Sequence, residues 1–534
     1  MDARLAIDTG VLFVYFVVII FIGLRMGRKE DNLEDFALGG RRIPWWAVLA
    51  SLIAAETSAG TFFGTPGEGF SHRDYTYLQL AFGTIIGRIL VSYIFIKPYY
   101  DYKVFSIYEY LTTRFGVGSK NAASAVFMVT RLLASGTRLY VAAIALALAY
   151  EMISGARPNE TQTLWIYVGA TVAIVILTAI YTTLGGIKAV IWTDLIQASI
   201  MIGSAVAALA LLYFAIPGGW HEIVQRRGEF HVSDLIATGL DPAKSGWDKW
   251  KGMFETEYTI FAGLIGSVFI TMGTHGTDQD MVQRMLTAKD VRRSRRSLIM
   301  SGLADIPIAF TFLSIGLLLW VYYQAHPDPT LSKTPNETFC HFILYQMPVG
   351  LRGLLLAGIF ATAMGSLSTA LNALATSFTR DWYEPYINPA ASDAQSLRAV
   401  RWATIWFSLL MIIVASTTAY LVIVYPNVRI IPIVLSIFGY TYGSLLGVFF
   451  AGMLTRTRGN DRGNVLAMIA GFIVVAILSG LPNKVAGLFK TTFYEQPPWL
   501  PEMEFPWWIF FGTIVTFLVA IVFKSRPHER PVTV

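Results

Sequence analysis

Apolar residues run in long blocks from Leu12 to Phe523, separated by short polar and basic stretches. A membrane-spanning helix needs about 20 mostly apolar residues. On that criterion the pattern predicts an all-α polytopic membrane protein with about thirteen spans, centred near residues 18, 55, 87, 135, 172, 202, 270, 310, 365, 411, 442, 472 and 515. Two of these spans are interrupted mid-membrane by polar, helix-weakening residues: Ala54-Ala55-Glu56-Thr57-Ser58-Ala59-Gly60-Thr61 and Gly273-Thr274-His275-Gly276-Thr277-Asp278-Gln279-Asp280. Lipid cannot satisfy free backbone groups, so unwound backbone at that depth survives only inside protein or along a cavity.

Spans two to six and seven to eleven form two sets of five, and the first member of each set (44–66 and 258–283) is the interrupted one. Five is odd, so the second set runs through the membrane in the opposite sense, the condition for an inverted repeat. Paired interruptions of this kind point to a secondary transporter's binding site. The expected organisation is an extra helix and cytoplasmic loop over 1–43, a first five-helix repeat over 44–215, an extracellular loop over 216–257, a second repeat over 258–455, and two further helices with a short tail over 456–534.

Loop charge orients the chain. Arg25, Arg28, Lys29, Arg41 and Arg42 follow the first span, and Arg284, Lys289, Arg292, Arg293, Arg295 and Arg296 follow the seventh. Arg456, Arg458 and Arg462 follow the eleventh, and Lys524, Arg526 and Arg530 the last. All lie after odd-numbered spans, so the positive-inside rule puts the N-terminus outside and the C-terminus in the cytoplasm of a multi-pass cell-membrane protein. Arg226 and Arg227 break the pattern, but they sit in a long loop, which translocates regardless of charge. Trp499, Trp507 and Trp508 suit an aromatic belt at the outer face. The first apolar run, Val11 to Leu24, has no basic region before it and no small-residue cleavage site, so it reads as a retained helix.

Composition narrows the classes. The chain is 54% hydrophobic and only 14% charged, where a soluble domain carries about 25% charged residues. The net charge of +6 belongs to cytoplasmic loops rather than to a nucleic-acid surface. Cys340 is the only cysteine, which rules out an internal disulfide and a cysteine-based metal site. No Ser/His, His-x-x-x-His or paired-Asp arrangement suggests an enzyme, and no organic cofactor is expected. The tail is too short for a sensor's output module, and no carbonyl-rich filter loop suggests a channel.

The ninth span carries hydroxyls at Thr362, Ser366, Ser368 and Thr369 beside Gly365. Short oxygen donors of this kind suit sodium; they also suit close helix packing. The sixth span opens Gly185-Gly186-Ile187-Lys188-Ala189-Val190-Ile191-Trp192-Thr193-Asp194, and Asp194 lies within its apolar run. An intramembrane carboxylate is a functional candidate by default, or a structural hydrogen bond near the cytoplasmic end.

Together with Ala50–Ala55, Gln279–Arg284 and Ile359–Asn372, the Gly-Gly…Trp-Thr-Asp…Gln pattern through Gln197 resembles the sodium/solute symporter family over nearly the whole chain. The resemblance implies a five-plus-five inverted-repeat fold of the leucine-transporter type and sodium-coupled import of a small organic solute by alternating access. It implies a sodium site made by the carbonyls of Ala54, Thr57, Thr362 and Gly365 with the hydroxyl of Ser366. A second sodium site would use Asp194, Ser368 and Thr369, although Gly365 stands where relatives with that site carry a hydroxyl. The partners are then sodium, a small solute and the bilayer, with a single chain as the transport unit.

For the solute, the candidates are Glu56, Thr61, Arg138, Thr271, Thr274 and His275. Gly60 and Thr61 replace the long polar side chains of sugar-transporting relatives. The sialic acid branch looks closer in Gln-Asp-x-Val-Gln-Arg, but its carboxylate-binding arginine would align near Ala134. Arg131 and Arg138, seven apart on one helical face, offer guanidinium groups that bind carboxylates bidentately. Glu56 is expected to pair with Arg138, or one of them to meet the solute; the alternative has Arg131 snorkelling and Arg138 paired with Asp305. His275 is a hydrogen-bonding, proton-carrying or simply satisfied residue, which keeps a proton-coupled variant open. Asp278 and Asp280 could line the exit path or cap the following half-helix, with Asp280 near Arg284.

Overall fold

The long apolar blocks fold as helix because a backbone in hydrocarbon must satisfy its own hydrogen bonds. The computed structural model describes residues 3–27, 32–154, 158–230, 236–331, 335–424, 430–487, 497 and 499–525. Among these no strand forms; the only ladder contacts are isolated bridges, Ile43 with Ala288 and Arg458 with Lys524. Arg28, Lys29, Arg526 and Arg530, four of the residues that set the expected orientation, lie outside the described residues.

The helices that build the core are α1 (Ala3–Met26), α2 (Trp45–Glu56), α3 (Ala59–His72), α4 (Leu78–Ile94), α5 (Val117–Ser154), α6 (Glu160–Ala215), α7 (Val268–Gly276), α8 (Gln279–Leu286), α9 (Val291–Ala325), α10 (Leu351–Phe378), α11 (Asp393–Val424), α12 (Ile430–Leu454), α13 (Asp461–Leu478) and α14 (Phe505–Val522). Among the described residues, nine helices are long and apolar enough to cross a membrane, or ten if the bent α2–α3 pair is one span.

The longest helix, α6, has 56 residues. It bends at Gly186, whose φ of 52° and ψ of −152° belong to a region that only glycine enters without strain. A Cβ there would stand 2.6 Å from the Phe36 carbonyl oxygen. The Gly-Gly of the sequence motif is thus the bend itself, and Asp194 and Gln197 lie about two and three turns beyond it.

Both interruptions are real breaks. After α2 the chain leaves helical geometry at Thr57 (φ −78°, ψ 84°) and Ser58 (φ −81°, ψ 169°), and α3 departs at 61°. The Ser58 N–H donates to Glu56 O (2.9 Å), so the Ala54 carbonyl loses its usual i+4 donor. The second break falls at Thr277 and Asp278, between α7 and α8. It is preceded by a π-helical turn at Ala262–Ser267. Asp278 caps α8, its carboxylate accepting from Asp280 N (2.8 Å).

Between the breaks stands α10, the most enclosed of the long helices, packed on α6, α5 and α1. Its small residues let the neighbouring backbones approach closely. At one end, Asp8 of α1 joins it by accepting from Arg352 (2.5 Å) and from Gly350 N (2.7 Å). One expectation fails at the edge of the bundle. Trp507 and Trp508 are 2% and 4% exposed and pack against Tyr258 and Phe505. Their indole N–H groups donate to Met253 O and Met503 O, so they brace the protein interior; only Trp499 is exposed.

Candidate functional site

The α10 hydroxyls are already committed as donors. Thr362 donates to Ile359 O (2.7 Å), Ser366 to Ala363 O (3.1 Å), Ser368 to Gly365 O (3.1 Å) and Thr369 to Ser366 O (2.9 Å). A hydroxyl whose proton is engaged along its own helix presents only lone pairs outward. That is the donor set a hard cation requires.

Gly365 faces the first break and the second half of α6. A Cβ on it would lie 3.0 Å from Gln197 Oε1, 3.5 Å from Asp194 Oδ1 and 3.6 Å from the Ala54 carbonyl oxygen. Asp194 Oδ1 and Gln197 Oε1 are buried acceptor oxygens without hydrogen-bond donors. Buried polar atoms are nearly always satisfied, so this oxygen-lined gap has the chemistry of a small-cation site. The other Asp194 oxygen accepts from Ser51 Oγ (2.5 Å), with Arg284 Nε 3.8 Å away. Of the three residues expected to form a second site, Asp194 and Ser368 both neighbour Tyr181, and Thr369 neighbours Asp280.

Glu56 pairs with Arg88 of α4 (2.5 Å), not with Arg138. Arg88 also binds Asp305 of α9 (2.6 Å) and Ser301 (3.1 Å), so Asp305 is not Arg138's partner either. His275 Nε2 hydrogen-bonds the same Glu56 oxygen, and its Nδ1 meets the Thr274 hydroxyl (2.9 Å). Arg88 was absent from the expected site, yet it had a signal: a lone arginine inside an apolar run is costly unless it has a partner.

Arg131 does not snorkel. It pairs with Asp278 and, at 3.1 Å, with Asp280; Tyr442 donates its hydroxyl to Asp278, and Arg284 binds Asp280 at 2.7 Å. Gln283 donates to Ala37 O and Asn372 Oδ1 (both 2.7 Å). Gln279 bridges Phe105 O and Ile107 N (both 2.9 Å). The Gln-Asp-x-Val-Gln-Arg segment is thus bonded on several sides at the second break; Asp280 pairs with Arg284, and the cap of the half-helix is Asp278 rather than Asp280.

Two cavities adjoin the breaks, sharing Arg138, Ile270 and Phe505. One of ≈ 160 Å³ is lined by Glu56, Arg131, Thr274 and His275 as well. The other, ≈ 220 Å³, takes in Thr61, Gly60, Ser58 and Glu68. Thr271 lines neither: it is 2% exposed and packs where a Cβ on Gly87 would approach it to 2.7 Å. Arg138 is half-buried and makes no hydrogen bond or ion pair among the described residues; its guanidinium lies 5.0 Å from the Phe438 ring, within the field of Asp280.

A helical membrane core whose two unwound segments meet oxygen donors and a charged cavity is that of a secondary transporter built on broken helices. The chain belongs to the sodium:solute symporter family, whose model matches residues 36–471; it is a transporter and not an enzyme. It is 30% identical to the sodium/sialic acid symporter SiaT of Proteus mirabilis, over 88% of each chain. It is 27% identical to the sodium-coupled monocarboxylate transporter 2 of Bos taurus, over 86% of this chain and 71% of that one. A solved structure of a Na⁺-coupled sialic acid symporter in a substrate-bound outward-open state superposes with a TM-score of 0.79 at 26% identity, covering 97% of both chains. The nucleobase-cation-symport-1 transporter Mhp1, at 13% identity and a TM-score of 0.51, shares the fold.

Proposed function

We propose that this protein imports a small organic anion with sodium by alternating access. The observation that carries the reading is Arg138. Arg88, Arg131 and Arg284 are each bound to carboxylates, whereas Arg138 faces both cavities and makes no ion pair among the described residues. A guanidinium at membrane depth is expensive without an anionic partner, and it binds a carboxylate bidentately. The relatives named for sialic acid and for monocarboxylates support an acidic solute.

Sodium would bind where α10 meets the first break, through the carbonyls of Ala54, Thr57, Thr362 and Gly365 and the hydroxyl of Ser366. A second sodium would use Asp194 with Ser368 and Thr369, supported by the unpartnered Asp194 oxygen. Counting α6 as two spans about Gly186, and adding α5 and the broken α7–α8 span, gives the thirteen spans of the sequence. Residues 44–215 and 258–455 then form the two inverted repeats, with the N-terminus outside and the C-terminus cytoplasmic. In that orientation the Arg131–Asp278–Asp280 cluster is an inner gate, closed while the Arg138 cavities await solute. One chain suffices as the transport unit, and Thr61, Thr274 and His275 complete the solute's surroundings.

The test is uptake into proteoliposomes of a labelled carboxylate panel with and without an inward sodium gradient, for the native protein and Arg138→Ala. Sodium-dependent uptake that Arg138→Ala abolishes is expected; conductance without solute would indicate a channel. A proton-driven reading is favoured by one observation, the His275–Glu56 bond at the first break. Uptake that persisted without sodium and followed a pH gradient would replace sodium by protons.

A further inference from the structure

The ≈ 160 Å³ cavity has two opposite poles. Arg138 supplies the positive one. The negative one is Glu56, which lines the same cavity and shares Arg88 with Asp305. At this pole one guanidinium, Arg88, is divided between two carboxylates. Its geometry agrees: Glu56 Oε1 receives both Arg88 and His275, while Oε2 is buried with no donor at all. A buried carboxylate oxygen left without a donor is costly. The neighbouring cavity carries its own carboxylate, Glu68, which is held by His72 at 3.2 Å.

Arg131, on the same wall, is engaged by Asp278 and Asp280, and apart from Thr274 and His275 the rest is hydrocarbon and aromatic: Ile270, Met281, Phe438, Phe505 and Ile509. Its volume lies below the roughly 300–1,000 Å³ of drug-sized ligand sites. We infer that the solute is a zwitterion, a small apolar α-amino acid whose carboxylate meets Arg138 and whose ammonium meets Glu56. The proposal rests on the anion reading above and sharpens it. An anion without the amine would answer Arg138 but leave the Glu56 pole unanswered. A sugar would leave both charges without counterparts.

The experiment uses the purified full chain in sodium chloride and in choline chloride, titrated with matched probes. L-valine carries both charges, 3-methylbutanoate only the carboxylate and isobutylamine only the amine; the corresponding sets for alanine, leucine and phenylalanine vary the apolar part. Apparent stability against probe concentration gives each affinity. At least one amino acid is expected to bind in sodium about tenfold or more tighter than its carboxylate-only analogue, the size of a charged hydrogen bond. Glu56→Gln should reduce that ratio to near one while keeping carboxylate binding. Arg138→Ala should abolish both.

Carboxylates that bind as tightly as their amino acids, or a ratio unmoved by Glu56→Gln, would overturn the zwitterion and leave the anion reading standing. If no probe gave an Arg138-dependent shift, both would fall. Should Glu56→Gln unfold the carrier, the native protein's ratio between amino acid and carboxylate still decides the matter.

Discussion

The two breaks differ in how fully their polar groups are matched. Beneath the second, Asp278, Asp280, Arg131, Arg284, Gln279 and Gln283 lock one another and the surrounding backbone, with every carboxylate oxygen paired although Arg131 Nε and one Arg284 nitrogen stay without partners. Around the first, the carboxylate oxygens Glu56 Oε2 and Asp194 Oδ1 have no partners, and Arg138, between the two breaks, makes no ion pair among the described residues. A matched cluster can hold one conformation by itself. An unmatched one is complete only when something else binds. That contrast is why the second break is proposed as a gate and the first as a receiver of ions and solute.

Breaking the matched side should have the largest effect. Asp278→Ala strips Arg131 and Tyr442 of a shared acceptor and leaves a buried cation short of a partner, a loss of about 3–5 kcal/mol. Thermal unfolding in detergent should show it as a much lowered midpoint; an unchanged midpoint would deny the gate. Arg138→Ala, by contrast, removes no protein carboxylate's partner. It should weaken solute binding by about 1.5–3 kcal/mol with the midpoint of the empty carrier nearly unchanged, as calorimetry and thermal shift together can show.

Ser366→Ala tests the ion side of the first break. Sodium at 100 times its Kd stabilises a carrier by about 2.7 kcal/mol, and the variant should lose most of that response. An undiminished sodium shift would move the site elsewhere. The smallest effect is expected from Gly365→Ser, which adds a hydroxyl beside Asp194 Oδ1 at the expense of a Gln197 oxygen 3.0 Å from the new Cβ. It should change stability by about 1 kcal/mol or less and steepen the sodium titration toward two ions.

The sequence made the breaks legible because polar, glycine-rich stretches inside apolar blocks have few other meanings. The Gly185–Gln197 motif was legible for the same reason, its second glycine sitting at a bend of positive φ. Pairing was not legible. Glu56 and Arg138 looked complementary along the chain, but which arginine reaches Glu56 depends on how α2, α4 and α9 pack, and that brought Arg88 between two carboxylates. Trp507 and Trp508 misled similarly: an aromatic pair at a span's end suits either a lipid interface or, as found, a packed cluster with indole donors satisfied.

The central claim is that Arg138 receives the anion of a sodium-coupled solute. The most direct measurement is uptake of the tightest-binding carboxylate-bearing probe into proteoliposomes under an inward sodium gradient, for the native protein and Arg138→Ala. Native vesicles should accumulate the probe only with sodium. Arg138→Ala should abolish accumulation while the purified variant keeps its sodium-dependent thermal shift. Accumulation by Arg138→Ala at the native rate, or by native vesicles without sodium, would contradict the account.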